Sequence, residues 1–312
     1  MLLLILVRHY PFNSVPKKRG MTLNLTSAAE FVYTTLFRPI WIRTFINRII
    51  LKIIPTSVRI GNAVIMINPK DPIHSAALTF GVYEKFEIEL MSKICSTGKV
   101  VVDIGAHVGL YTAIAGLGVG PSGRVFALEP DPVSFNYLQQ TVKANKLANI
   151  QLVQAAASNK NDRSQLFASS TNRGDTRMYN NNNADCVIQV ETLKLDDYFD
   201  TQKISTIDII KMDIQGFEGH AIEGMKEIIR RSPRLIILME FWPTGLTSAG
   251  TDPIELLQQL ENMGLKLYEI KKQKNIIPII DKKLLVSQLH GRRYANIVLL
   301  GSQADGSLLG LK

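Results

Sequence analysis

The segment VVDIGAHVGLYT, residues 101–112, places an acid and two glycines where a ligand could bind. Its β-branched residues predict a strand that ends at Asp103, and the residues after Gly109 predict a helix that begins at once. Such a strand brings the chain to the carboxyl edge of a sheet, where ligands of open α/β folds bind. Gly105 and Gly109 let the backbone pass close under a ligand, and the helix points its N-terminus at it. We expect a nucleotide-like ligand at this turn.

The next apolar run ends in Glu129, 24 residues after Gly105. This is near the spacing at which a carboxylate accepts hydrogen bonds from both hydroxyls of a ribose. An acid there also argues against a ligand that carries a 2′-phosphate. The third apolar run ends in QAAAS, residues 154–158, whose small side chains leave room for an adenine ring.

Dinucleotides and S-adenosylmethionine both bind at turns of this kind. A literal GxGxxG motif occurs at residues 118–123, but it precedes a strand, and Pro121 would disrupt the helix that the motif has to open. At the first turn Asp103 would lie inconveniently near a pyrophosphate, whereas it suits the zwitterionic methionine end of S-adenosylmethionine. The sequence therefore favours S-adenosylmethionine over a dinucleotide as cofactor.

Acids and a histidine also follow the fourth and fifth apolar runs, where the methyl group of that cofactor is expected. Methyl transfer to a hydroxyl needs positioning and a group that receives the proton. The candidate bases are Asp213, Glu218, His220 and Glu240, and Asp213 is the first choice. Each also has a structural interpretation: Asp213 as a helix cap, Glu218 and His220 as a dipole partner and a solvated side chain, and Glu240 as a partner for backbone amides.

From residue 99 the chain alternates short apolar runs with helical stretches, which predicts a doubly wound α/β sheet. The domain boundaries follow from this pattern: a basic, partly amphipathic helical extension at 1–58, a helical or extended lead-in that covers the cofactor site at 59–98, a Rossmann-like domain at 99–304 and a tail at 305–312. The predicted strands are residues 99–104, 124–130, 150–156, 206–214, 234–241, 265–270 and 294–301.

Basic charge is concentrated near the N-terminus. Residues 1–60 contain nine Lys or Arg and one acid, which accounts for +8 of the net charge of +9. The nearly neutral remainder argues against a specific nucleic-acid partner. Residues 40–54 predict a basic amphipathic helix, which either lies in the surface of an anionic membrane or docks on the protein itself.

Several features of the chain bear on its compartment. The charges within residues 40–54 interrupt the apolar stretch too often for a membrane span, and the N-terminal residues do not have the pattern of a secretion signal. The two cysteines, Cys95 and Cys186, fit a reducing compartment. We expect a cytoplasmic protein, with peripheral contact on the cytoplasmic membrane face through residues 40–54 as an open alternative.

Several segments together resemble the FkbM family of S-adenosylmethionine-dependent methyltransferases: FGVYEKFEIELM, VVDIGAHVGLYT, VFALEPDPVSF, KMDIQGFEG and LMEFWP, within residues 80–243. The resemblance implies a class I methyltransferase fold, with a seven-stranded sheet whose last strand is antiparallel. It also implies methyl transfer to oxygen, typically on sugars or natural products. His107 stands where the family commonly has asparagine, and Gln215 stands where it commonly has glutamate, which puts a second acidic role there in doubt.

We predict an O-methyltransferase that acts on a hydroxyl of a sugar, glycolipid or other small-molecule acceptor, and no metal site. A non-catalytic S-adenosylmethionine-binding regulatory protein stays open because of Gln215, and an RNA methyltransferase is disfavoured by the charge distribution. The predicted cofactor-binding residues are Tyr83, Asp103, Gly105, His107, Gly109, Thr112, Glu129, Pro130, Ala156 and Asp213.

Overall fold

The structure is a computed structural model that describes residues 55–69, 71–79, 84–169, 173–180, 184–271 and 275–311. The strands in this part of the chain are β1 (Ser57–Ile60), β2 (Ala63–Met66), β3 (Val100–Ile104), β4 (Arg124–Leu128), β5 (Ile150–Val153), β6 (Ala156–Ser158), β7 (Asp162–Ala168), β8 (Cys186–Lys194), β9 (Ile209–Met212), β10 (Ile236–Phe241), β11 (Lys266–Lys271), β12 (Asn275–Pro278) and β13 (Ala295–Leu300). The helices are α1 (Pro72–Thr79), α2 (Lys85–Ile94), α3 (Leu110–Val119), α4 (Pro132–Ala144), α5 (Leu195–Thr201), α6 (Glu218–Glu223), α7 (Lys226–Arg231), α8 (Pro243–Ser248), α9 (Pro253–Asn262) and α10 (Lys282–Gln288).

The central sheet has the strand order β12-β11-β13-β10-β9-β3-β4-β5. Strands β5, β4, β3, β9 and β10 are parallel, and β13 runs antiparallel to both β10 and β11. All seven predicted strands are present, and the antiparallel last strand is confirmed. The class I methyltransferase architecture is therefore confirmed as well.

The strand β12 is an eighth member of the sheet that the sequence did not predict. It has four residues, ends in Pro278 and lies at the edge, where proline is tolerated. A hairpin of β1 and β2 and a small sheet with the order β6-β8-β7 were also not predicted. Such short or polar strands carry little hydrophobic periodicity, so they are hard to recognise in a sequence.

Both faces of the central sheet are covered. On β3, Val101 belongs to one buried cluster, together with residues of α2 and α3, while its neighbour Val102 belongs to the other, together with residues of α5, α6 and α9. This alternation explains why the parallel strands are almost continuously apolar. Because helices occupy both faces, the carboxyl edge of the sheet is where a ligand has access to the strand ends.

Residues 1–54 lie outside the described part of the chain. The predicted helix at 40–54 and nearly all of the predicted extension at 1–58 therefore stay predictions. Among the helices that the structure describes, none is both long and apolar enough to cross a bilayer.

Candidate active site

A cavity opens at the carboxyl edge of the sheet, beside the ends of β3, β4 and β9. Two further segments complete its wall: α1 through His74, within the lead-in expected to cover the cofactor site, and the stretch around Arg173, which the sequence did not place there. Most of the predicted cofactor-binding residues line it: Asp103, Gly105, His107, Glu129, Pro130, Ala156 and Asp213. Tyr83 lies outside the described residues.

The acid of the first turn is held by a side chain from the helix that follows it. Thr112 Oγ1 donates a hydrogen bond to Asp103 Oδ2 over 2.5 Å, and both residues are buried. Burial raises the pKa of Asp103 to about 6, although the bond from Thr112 opposes the shift. Thr112 is not among the residues that line the cavity, so its contact with the site is through the Asp103 carboxyl group.

The two glycines of the turn are required by packing within the chain, and of the two only Gly105 lines the cavity. Gly105 has a φ of 83°, and a Cβ there would collide with the backbone carbonyl of Asp213. Gly109 has a φ of 90°, and its Cβ would lie 2.8 Å from Leu138 Cδ1 on α4. The glycine at 105 therefore allows the first turn to lie directly against the loop that carries Asp213.

Glu129 is anchored by backbone amides on both oxygens. His107 N–H donates to Oε2 and Asp131 N–H donates to Oε1, each over 2.8 Å. A carboxylate oxygen has two lone pairs, so each oxygen retains one for a ligand hydroxyl. Burial raises the pKa of Glu129 to about 8, despite the two amide bonds. A partner that favours the charged form would therefore bring this pKa down.

A cluster of three acids lies next to this cavity. Carboxylate oxygens of Glu84, Asp213 and Glu240 lie within 4.8 Å of one another. Gln215 Nε2 donates to Asp213 Oδ1 over 2.8 Å and to Glu240 Oε1 over 3.2 Å. Because an amide can donate both bonds whereas a carboxylate only accepts, glutamine suits position 215 between two carboxylates better than glutamate would.

Lys211 supplies a cation to the acid cluster from inside β9. It is 4% exposed, and its Nζ lies 4.9 Å from the centroid of the Tyr111 ring. Burial alone would lower its pKa, but the nearby carboxyl groups of Asp213, Glu84, Glu240 and Asp103 outweigh this and raise it. Lys211 is therefore charged, and it is part of the cavity wall.

The carboxyl groups around Lys211 outnumber it. Burial raises the pKa of Glu84, and burial together with Asp213 and Glu84 raises the pKa of Glu240 well above its usual range. Lys211 opposes both shifts but does not cancel them. Further positive charge near the cluster would therefore favour the ionised form of these carboxyl groups.

The other two candidate bases lie away from the cavity wall. Glu218 Oε1 accepts from the amides of Ile214 and Gly216 over 3.1 and 3.2 Å, while its Oε2 has no hydrogen-bond partner among the described residues. The ring of His220 stacks on Phe217, and its Nε2 lies 2.9 Å from the carbonyl oxygen of Ala249. Glu218 fixes the turn that follows Asp213. His220, in α6, is held by Phe217 and by the carbonyl oxygen of Ala249.

A second group with metal-ligand chemistry consists of Asp71, His74 and His107, whose ligand atoms lie within 4.8 Å of one another. Burial lowers the pKa of both histidines, which keeps the imidazoles neutral. The two rings contact edge to face with centroids 4.2 Å apart, and both Asp71 oxygens accept backbone hydrogen bonds from His74 and Arg173. The two histidines of this group line the cavity, and the expected absence of a metal stays a prediction.

Sequence reasoning missed Lys211, although a lysine within the apolar run IIKM was a usable signal, because a cation in a buried strand needs partners. It also missed Asp71, His74 and Arg173. These residues come from separate segments whose spacing has no motif, so only the folded chain brings them to the cavity.

The residues of the cavity fit S-adenosylmethionine. Glu129 can accept from ribose hydroxyls, and the small side chains of 155–157 give a flat ring room. The acids around Lys211 leave negative charge unbalanced, which suits a ligand with a sulfonium and an ammonium group.

Comparison with known proteins agrees with this assignment. The chain is 27% identical over 164 residues to "2-O-methyltransferase NoeI" of Sinorhizobium fredii, an alignment that covers 47% of this chain and 66% of that protein, just short of two thirds. Among solved structures, methyltransferase FkbM of Methylobacillus flagellatus is similar with a TM-score of 0.42 and 14% identity, over 83% of this chain and 59% of that chain. TYW2 of M. jannaschii, solved with AdoMet, has a TM-score of 0.39 and 16% identity, over 79% of this chain and 85% of that chain. Similarity at these TM-scores does not bear on activity.

The family model that matches is the methyltransferase FkbM domain, over residues 103–267, which is more than half of the 312-residue chain. The match begins at Asp103 and ends within β11, so it includes the first turn and two of the three clustered acids, Asp213 and Glu240. The chain therefore belongs to the FkbM family of methyltransferases, and S-adenosylmethionine is its cofactor.

Proposed function

We propose that this protein is an O-methyltransferase that transfers a methyl group to a hydroxyl of a sugar, a glycolipid or another small molecule. The observation that carries the proposal is the position of Asp213. It lines the same cavity as the turn at Asp103 and belongs to the partly buried cluster with Glu84 and Glu240. A proton acceptor thus lies beside the cofactor cavity.

The cofactor, when bound, supplies an activated methyl group on a sulfonium. A sugar hydroxyl is a weak acid, so the chain has to hold it in line and provide a group that takes its proton. We assign this role to Asp213. Gln215 holds one oxygen of this carboxyl group, which leaves Asp213 Oδ2 to meet the acceptor.

The cofactor contacts follow from the geometry of the wall. We assign the ribose to Glu129, the adenine to Pro130 and Ala156, and the methionine end to the turn at Asp103 and Gly105. Thr112 and Gly109 support this turn from behind.

The relative from Sinorhizobium fredii is named a 2-O-methyltransferase, which supports oxygen as the methylated atom. The proposed acceptor is therefore a hydroxyl, and the proposed compartment is the cytoplasm. No nucleic-acid acceptor is part of this proposal, because three acids, Asp103, Glu129 and Asp213, line the cavity against two cations, Arg173 and Lys211.

The test is a product assay. The full chain is incubated with S-adenosylmethionine and a panel of sugars, glycolipids and phenols, and S-adenosylhomocysteine is quantified. We expect product with at least one hydroxyl acceptor and none with its O-methylated analogue. Tight cofactor binding without product from any acceptor would indicate a regulatory binding protein. Product from RNA alone, with steep loss of acceptor binding as salt rises, would indicate an RNA methyltransferase.

A further inference from the structure

Exposed apolar side chains are concentrated at one end of the central sheet. Seven large apolar residues are exposed among the described residues, and three of them fall within eight consecutive positions: Ile277 at 41%, Ile280 at 87% and Leu284 at 53%. Ile277 belongs to the edge strand β12, and Leu284 to the first turn of α10. Ile277 and Leu284 are seven positions apart along the chain, so the three residues lie within at most about 25 Å of one another.

Packing within the protein does not explain why these three apolar side chains are exposed. An apolar residue just before a helix cap often packs against the fourth helical residue, which here would join Ile280 to Leu285. Leu285 is 5% exposed and lies in the core, whereas Ile280 is almost fully exposed. The helix α10 is thus attached to the protein by Leu285, and Leu284 and Ile280 face water.

Basic charge surrounds these residues. Residues 266–293 contain eight Lys or Arg and two acids, a net charge of +6, while the chain outside 1–60 and 266–293 sums to −5. Lys283, Arg292 and Arg293 are exposed, and Lys282 bonds Glu261 over 2.8 Å. The body of the protein is therefore not uniformly neutral, because a basic segment is offset by an acidic remainder.

We propose that residues 275–293, here called the β12–α10 surface, dock on an anionic lipid bilayer. Protruding aliphatic side chains next to Lys and Arg match the acyl boundary and the anionic headgroups of such a membrane. A protein partner is disfavoured because protein interfaces are depleted in lysine. A second copy would bring two strongly positive surfaces together, and a nucleic acid would leave Ile280 in water.

The surface reaches the edge of the sheet where the cavity lies. Trp242 directly follows β10, the strand that carries Glu240 of the acid cluster. The Nε1 of Trp242 donates a hydrogen bond to the carbonyl oxygen of Gly291 over 2.7 Å. Ala295, at the start of β13, pairs with Phe241 at the same edge. Docking would thus hold the active-site edge beside lipid headgroups. This consequence rests on the proposed function, whereas the docking proposal itself does not.

The experiment measures sedimentation of the full chain with vesicles of phosphatidylcholine, with and without phosphatidylglycerol. We expect binding to the vesicles that contain phosphatidylglycerol, and at least about tenfold weaker binding for the double variant Ile280→Ser, Leu284→Ser. The variant Lys283→Gln, Arg292→Gln should also bind about tenfold more weakly, and salt should reduce the wild-type binding. The matched control is Val187→Ser, an apolar residue exposed to 54% on β8.

The segment 40–54 is present in every variant, so the difference between wild type and the double variant isolates the β12–α10 surface. The proposal is overturned if the wild type does not bind, if the Ser variant or the Gln variant binds as tightly as the wild type, or if the Val187→Ser control loses as much. A dimer seen in solution that the Ser variant dissolves would also overturn it. Methyl transfer to a soluble acceptor is assayed separately, so failure of the enzyme assignment would not be confused with failure of docking.

Discussion

The two halves of the cavity are built differently. On the cofactor side, at the ends of β3 and β4, backbone amides hold Glu129 and a helix hydroxyl holds Asp103. On the acceptor side, at the ends of β9 and β10, Lys211 and Gln215 hold the carboxyl groups. On the cofactor side, the fold itself fixes the positions of the carboxyl groups. On the acceptor side, charged and polar side chains share the charge among themselves. This difference suits a site that binds a constant ligand on one side and moves a proton on the other.

The largest expected effect tests the acceptor side. Asp213→Asn should lower kcat by roughly 10²–10⁴, because the hydroxyl loses its proton acceptor, while the affinity for S-adenosylmethionine stays unchanged. Turnover and isothermal titration measure the two quantities. Asp197→Asn, at an exposed acid on α5, is the control and should have no effect. A near-normal rate for Asp213→Asn would transfer the role to Glu240 and contradict the comparison.

The second test removes the cation of the acceptor side. Lys211→Met should lower the free energy of unfolding by about 3–5 kcal/mol at about pH 8, because it leaves buried carboxylates uncompensated. The loss should be smaller at about pH 6, since the pKa values of Glu84 and Glu240 are already raised and these groups take up protons as pH falls.

Urea unfolding at the two pH values measures this effect. The control is Lys194→Met, whose half-exposed amine lies 3.5 Å from Asp197 and should contribute less than about 1 kcal/mol. An equal loss for Lys211→Met at both pH values would show that the lysine acts by packing and not by charge.

The third test concerns the cofactor side. Glu129→Ala should weaken S-adenosylmethionine binding by about 1.5–3 kcal/mol, because it removes charge-assisted hydrogen bonds to the ribose. It should leave kcat at saturating cofactor close to normal, in contrast to Asp213→Asn. If isothermal titration showed an unchanged affinity, Glu129 would not be the residue that binds the ribose.

The same difference decides what could be predicted from the sequence. Asp103, Gly105, His107 and Glu129 belong to two continuous motifs and line the cavity, while their contacts with the cofactor stay predictions. The acceptor side consists of residues from three distant segments, which no spacing relates, and so the role of Lys211 was missed. Glu218 fits the spacing of a candidate base, yet its carboxyl group bonds the amides of the turn.

A pattern of short apolar runs predicted the seven strands, because strands covered on both faces have a strong hydrophobic signal. The edge strand β12 was missed for the opposite reason, since it is short, partly exposed and ends in proline. The charge distribution was misjudged in a similar way. The sum over residues 61–312 concealed a basic segment at 266–293, because acids elsewhere cancel it.

The smallest expected effect is the pH dependence of cofactor binding. The pKa of Glu129 is about 8 because of burial, and hydrogen bonds from ribose hydroxyls favour its charged form, so binding releases a proton below that pH. Affinity should therefore rise as pH increases, by up to about tenfold between about pH 7 and about pH 9, and then level off. Titrations in buffers of different ionisation enthalpy measure the proton release directly. Glu129→Gln cannot titrate, so it should lose this part of the pH dependence while any contribution from the acid cluster around Lys211 remains. If the variant keeps the full dependence, Glu129 is not the titrating group, and the proton release comes from the acid cluster around Lys211 or from the amino group of the ligand itself.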